Sequence, residues 1–165
     1  MRKQVKITKN RDRRELVVER VMTASTKNVW QCWTKPAYLE RWWGPRNWTA
    51  TIYEMDVRPG GVWRYSLASN DGTGEVARCV ATYNEVIEPA RLVFTDTFAD
   101  MNWNVVEGSD MHTTVTFEEA DAGTRLTITT LFASVEDLEN AEAMGMIEGF
   151  EDTLARLEDI LSTTH

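Results

Sequence analysis

The stretch Leu39-Glu40-Arg41-Trp42-Trp43-Gly44-Pro45, followed by Met55-Asp56-Val57-Arg58-Pro59-Gly60-Gly61, marks the passage from helix to strand in this chain. Leu39, Trp42 and Trp43 fall three or four apart, on one side of a short helix. Gly44 is free to take a positive φ and Pro45 cannot continue a helix, so the pair ends it. Immediately upstream, Val29, Trp30 and Trp33 share one face of another short helix that Ser25 or Thr26 caps. Lys35-Pro36 restarts the chain between the two. Further upstream, Glu15–Met22 is a β-like run.

Downstream the pattern alternates. Thr51, Tyr53, Met55 and Val57 form one face of a strand. Pro59-Gly60-Gly61 turns the chain, and Trp63, Tyr65 and Leu67 alternate with Arg64 and Ser66. Asn70-Asp71-Gly72 is a hairpin signal. A long strand over 74–86 ends at Glu88-Pro89. Leu92, Phe94 and Asp96 share parity on the next, and Met111, Thr113, Val115 and Phe117 on another. Asp121-Ala122-Gly123 turns into Leu126, Ile128 and Thr130. Short turns between successive strands imply antiparallel pairing. The end is helical: Ser134 and Asp137 resemble a capping box, and Ile147, Phe150, Leu154, Leu157 and Leu161 recur every three or four residues. Gly145 and Gly149 each cost about 1 kcal/mol in a helix interior, so a kink near Gly145 or close approach to the sheet is expected.

The predicted architecture is α+β: a curved antiparallel sheet of about six or seven strands wrapped on a long C-terminal helix, with two short helices after the first strand. Residues 1–13 read as a polar leader and 14–162 as one domain. A chain of 165 residues buries enough surface for one core without staples.

The formal net charge of −8 opposes a nucleic-acid footprint, which needs clustered cations. The charge is uneven: residues 1–20 hold eight Lys or Arg against three acids, and from Glu118 onward there are twelve acids against two Arg. Cys32 and Cys79 lack CxxC spacing, so buried reduced thiols are expected. No run approaches the roughly 18 apolar residues of a membrane span, and residues 1–18 lack the apolar centre of a signal peptide. A cytoplasmic location is the expectation.

Five motifs follow one another in a fixed order: 29–34 (VWQCWT), 39–45 (LERWWGP), 55–61 (MDVRPGG) with Trp63-Arg64, 91–95 (RLVFT) and 123–126 (GTRL). Over roughly residues 14–162 the chain resembles the homologues of the heat-shock-protein-90 ATPase activator C-terminal domain. These belong to the START-like, or SRPBCC, superfamily with the helix-grip fold. Phe150 stands where members often carry Trp, and Ala81 where several carry Gly. The resemblance implies a cavity between sheet and long helix that holds apolar molecules, lipid-like or aromatic. It leaves two other functions open: a cyclase-, aromatase- or hydrolase-type reaction in that cavity, and partnership with a chaperone ATPase.

The residues themselves give no complete catalytic or metal-binding constellation. Trp42, Trp43, Trp63, Tyr65, Phe94, Asp96, Trp103 and Phe150 are the candidate ligand-binding residues. Each tryptophan has a plainer reading as a brace of the core, and Trp103 as an anchor for its loop. Asp96 points inward if Phe94 does, and a buried carboxyl with raised pKa serves general acid-base chemistry; otherwise it ends its strand in solvent. Arg78 is its suggested partner, on a strand of ambiguous facing. His112 faces outward by parity and His165 is the last residue, so no metal and no cofactor is expected. An apolar small molecule is the expected partner, and the chain is expected to be a monomer or homodimer.

Overall fold

The computed structural model describes residues 5–44 and 47–163. Pro45 of the helix-stopping pair, the first four residues of the leader and His165 lie outside the described residues. The element order is β1 (Lys6–Asn10), β2 (Glu15–Met22), α1 (Thr26–Thr34), α2 (Pro36–Trp42), β3 (Trp48–Met55), β4 (Val62–Ser69), β5 (Val76–Ile87), β6 (Arg91–Ala99), β7 (Met111–Ala120), β8 (Gly123–Phe132), α3 (Val135–Ala143) and α4 (Met146–Thr163). The strands form one open, curved, fully antiparallel sheet in the order β1-β2-β8-β7-β6-β5-β4-β3. The helix-grip expectation holds, with eight strands rather than six or seven. The added strand is β1, made from residues read as polar leader. Its pairing with β2 satisfies the backbone, and Lys9 bonds Glu142 at 2.6 Å.

Local chemistry explains the helices. Ser25 accepts from the Asn28 amide at 3.2 Å and caps α1. Pro36 opens α2, where a missing N–H costs nothing. Ser134 accepts from the Asp137 amide at 3.0 Å and caps α3. The long C-terminal helix is broken in two, because Gly145 takes φ +90° and separates α3 from α4. This is the kink expected there.

β3 departs from its sequence pattern. Its register shifts between Ile52 and Glu54, so Tyr53 is a bulge. Parity therefore breaks: Ala50, Ile52 and Met55 meet the core, while Thr51 and Tyr53 are exposed. The Pro59-Gly60-Gly61 turn is structural. A Cβ on Gly61 would lie 1.9 Å from the Asp56 carbonyl oxygen, and Arg58 Nε donates to Asp56 Oδ2 at 2.7 Å.

α1, α2 and α4 cover the concave face of the sheet, where Leu16, Val18, Met22, Val115, Leu126 and Ile128 meet Leu154, Leu157 and Leu161 in one core. Arg156 of α4 fastens this layer: its guanidinium donates to the carbonyls of Gly44 at 2.7 Å and Arg41 at 3.1 Å, at the end of α2.

Candidate functional site

Three middle strands present a row of aromatic and polar side chains on the concave face. Trp63 pairs with Ala81, and Ala81 with Asp96, so one cross-strand row runs Trp63-Ala81-Asp96. Ala81 leaves space above its small side chain for its neighbours. In adjacent rows on the same face lie Tyr65 with Cys79, and Tyr83 with Phe94. All of these side chains are buried. The rings pack on one another: Trp63 stacks on Tyr65 with centroids 4.6 Å apart and meets Phe94 edge-on at 5.7 Å. Trp43, half-buried where α2 ends, closes over them, 5.1 Å from Trp63 and 5.9 Å from Tyr65.

Asp96 is the polar centre of this cluster. Tyr65 donates its hydroxyl to Asp96 Oδ2 at 2.9 Å. Oδ1 is buried and has no hydrogen-bond partner among the described residues, and the same holds for Trp63 Nε1. Burial pushes the Asp96 carboxyl up to about 7, against a weaker pull downward from the Tyr65 hydroxyl and the Thr97 backbone. Its charge is felt around it. Burial first, then Asp96, holds the Tyr65 hydroxyl well above its ordinary range and pushes Cys79 up to about 12. Tyr83 moves upward for the same two reasons. At neutral pH the cluster thus contains one carboxyl near half-ionisation and otherwise neutral groups. Cys79 is a protonated, inert thiol there, not a nucleophile.

The other candidate positions separate. Trp42 is fully buried and donates Nε1–H to the Cys32 carbonyl at 2.9 Å, so it braces α2 on α1. Phe150 lies half-buried on α4 against the core. Arg78 and Trp103 belong to the opposite face of the sheet. Arg78 pairs with Ser66 and Ala99, donates to the Met101 carbonyl at 2.9 Å and lies 5.1 Å from the Trp103 ring centre. Trp103 meets Tyr53 edge-on at 5.1 Å. Strand alternation thus corrects the pairing of Arg78 with Asp96: Cys79 faces inward, so Arg78 faces outward. It also removes Trp103 from the concave site and makes it a brace of the 100–110 loop. His112 is exposed, with Nδ1 3.0 Å from the Thr95 hydroxyl. Among the described residues no three His, Cys, Asp or Glu side chains gather as a metal ion requires. The unpartnered Oδ1 and Nε1 were not legible in the sequence, which shows parity but not which hydrogen bonds close.

The family model of the activator of Hsp90 ATPase homolog 1-like protein matches residues 23–162. The chain belongs to this family. Among solved structures, the family member resembles protein Ms6760 of Mycobacterium smegmatis at 32% identity, with 98% of this chain and 99% of that one covered and a TM-score of 0.88. A protein of Arthrobacter aurescens is equally similar, at 32% identity and a TM-score of 0.88 over 95% of this chain and 91% of that one. A Rhodobacter sphaeroides protein at 20% identity shares the fold, with a TM-score of 0.84 over 96% and 99%. No curated protein matches. Membership in the activator-homologue family fits a ligand-binding fold, and no helix among the described residues is long and apolar enough to cross a membrane.

Proposed function

We propose that the protein binds an apolar small molecule, lipid-like or aromatic, on the concave face of β4, β5 and β6. The observation that carries this reading is the Asp96 carboxyl, buried among aromatic rings with one oxygen unmatched. Native proteins rarely leave a buried polar atom without a partner, because each costs about 1–3 kcal/mol. A ligand that brings the missing hydrogen bond offsets that cost. Trp43 is the outer wall of the cluster: it is half-buried and stands where a short helix ends. A ligand enters by displacing Trp43 from Trp63 and Tyr65. The reduced, buried Cys32 and Cys79 suit a cytoplasmic setting for this role.

Native mass spectrometry after incubation with a bacterial lipid and metabolite extract, together with displacement of a fluorescent apolar probe, tests the proposal. Retained masses that disappear in Tyr65→Phe support it. An unchanged mass and an undisplaced probe would remove it. One observation favours a second reading, a cyclase- or hydrolase-type reaction: burial pushes the Asp96 carboxyl up to about 7, which suits it to proton transfer. The family's name supports a third, contact with a chaperone ATPase; stimulated ATP hydrolysis by the chaperone is its readout.

A further inference from the structure

No ion pair or hydrogen bond from a cation to Asp96 is present among the described residues. Arg78, on the neighbouring strand β5, is committed to the opposite face by its contacts with Met101 and Trp103, and His112 on β7 is exposed beside Thr95. The titratable groups facing the carboxyl are Tyr65 on β4 and Cys79 and Tyr83 on β5; none supplies positive charge. Its immediate surroundings are the rings of Trp63, Tyr65, Tyr83 and Phe94, whose faces carry the negative end of the ring quadrupole. The protein as a whole carries a formal charge of −8, and a net field of that sign draws cations toward a cleft.

We infer that the occupant of this site is an apolar molecule carrying an ammonium group, which donates to Asp96 Oδ1 and lies against the face of one of the surrounding rings. The inference rests on the ligand-binding reading above and narrows it to one chemical class. An anionic ligand, such as a fatty acid, would set two carboxylates together out of water. A neutral alcohol would complete the hydrogen bond but leave the ionised carboxyl uncompensated. An ammonium does both tasks at once, and pairing plus hydrogen bonding is the condition under which a buried charge is tolerated.

The test compares 2-naphthylmethylamine with 2-naphthylmethanol, which share a ring system and differ in the cation. Isothermal titration at pH 7.5 is expected to show the amine binding at least about tenfold more tightly. In Asp96→Asn the preference should vanish, and an unchanged far-ultraviolet circular dichroism spectrum shows that the variant is folded. Because the carboxyl must be ionised to receive the ammonium, amine affinity should rise about tenfold from pH 6 to pH 8, following the competent fraction. Equal affinities, or a preference that survives in Asp96→Asn, would overturn the inference and leave apolar binding standing. Binding of neither compound would remove both.

Discussion

At Asp96 two costs meet. Burial holds its folded-state pKa near 7, well above the ordinary value for an aspartate in an unfolded chain. Between about pH 4 and pH 7 the folded state therefore keeps a proton that the unfolded state has released. Stability falls as pH rises through that window and levels off above it. Asp96→Asn should flatten this slope, so urea unfolding at pH 5 and pH 8 should give nearly equal midpoints in the variant and a lower midpoint at pH 8 in the parent. Tyr65→Phe removes the hydroxyl that donates to Asp96 Oδ2. It should cost about 1–3 kcal/mol and shift the same pH transition upward, measurable from the carboxyl carbon of Asp96 by NMR titration.

Two adjacent glycines separate two physical effects at the scale of the β3–β4 turn. Gly60 has φ +84° with open space where a Cβ would lie, whereas a Cβ on Gly61 would collide with the Asp56 backbone. Gly60→Ala should cost about 1–2 kcal/mol, the strain of a left-handed residue. Gly61→Ala should cost more, about 3 kcal/mol or above, as the turn has to move; urea midpoints distinguish them. Ser134→Ala removes the α3 cap and should cost about 1 kcal/mol. Elements of this kind were legible: turn chemistry, caps and helix faces at 25–43, 59–61 and 134–161 follow from local residue types. The bulge at Tyr53 was not, because alternation Thr51-Tyr53-Met55 looks regular and the slip is set by the partner strand. For the same reason Asp96 and Arg78 looked like a pair. Parity says that residues share a face only once the facing of each strand is known, and β5 has apolar side chains on both parities.

Across the whole molecule, Arg156 is the rivet. One side chain ties α4 to the carbonyls that end α2 and reaches the Trp48 carbonyl at the start of β3 at 3.5 Å. Charged donors of this sort are worth about 1.5–3 kcal/mol, so Arg156→Ala should destabilise by about 2 kcal/mol. Hydrogen exchange should speed up first at the end of α2, where Trp43 covers the concave cluster. Family membership was readable from motif order alone, since Trp42-Trp43-Gly44 and Arg58-Pro59-Gly60-Gly61 sit where the layer must close. The site was readable only in part, because a cluster drawn from β4, β5, β6 and α2 is a property of the assembled sheet.

The open sheet also leaves two outer strands, and each carries its own guard. β1 displays exposed Lys6, so a second molecule adding strand to strand would bring ammonium groups together. β3 is kinked by its bulge, which spoils the straight ladder that such growth requires. This chain should therefore resist fibre formation in concentrated solution. Lys6→Thr should bring fibres, read by thioflavin fluorescence, sooner than in the parent protein.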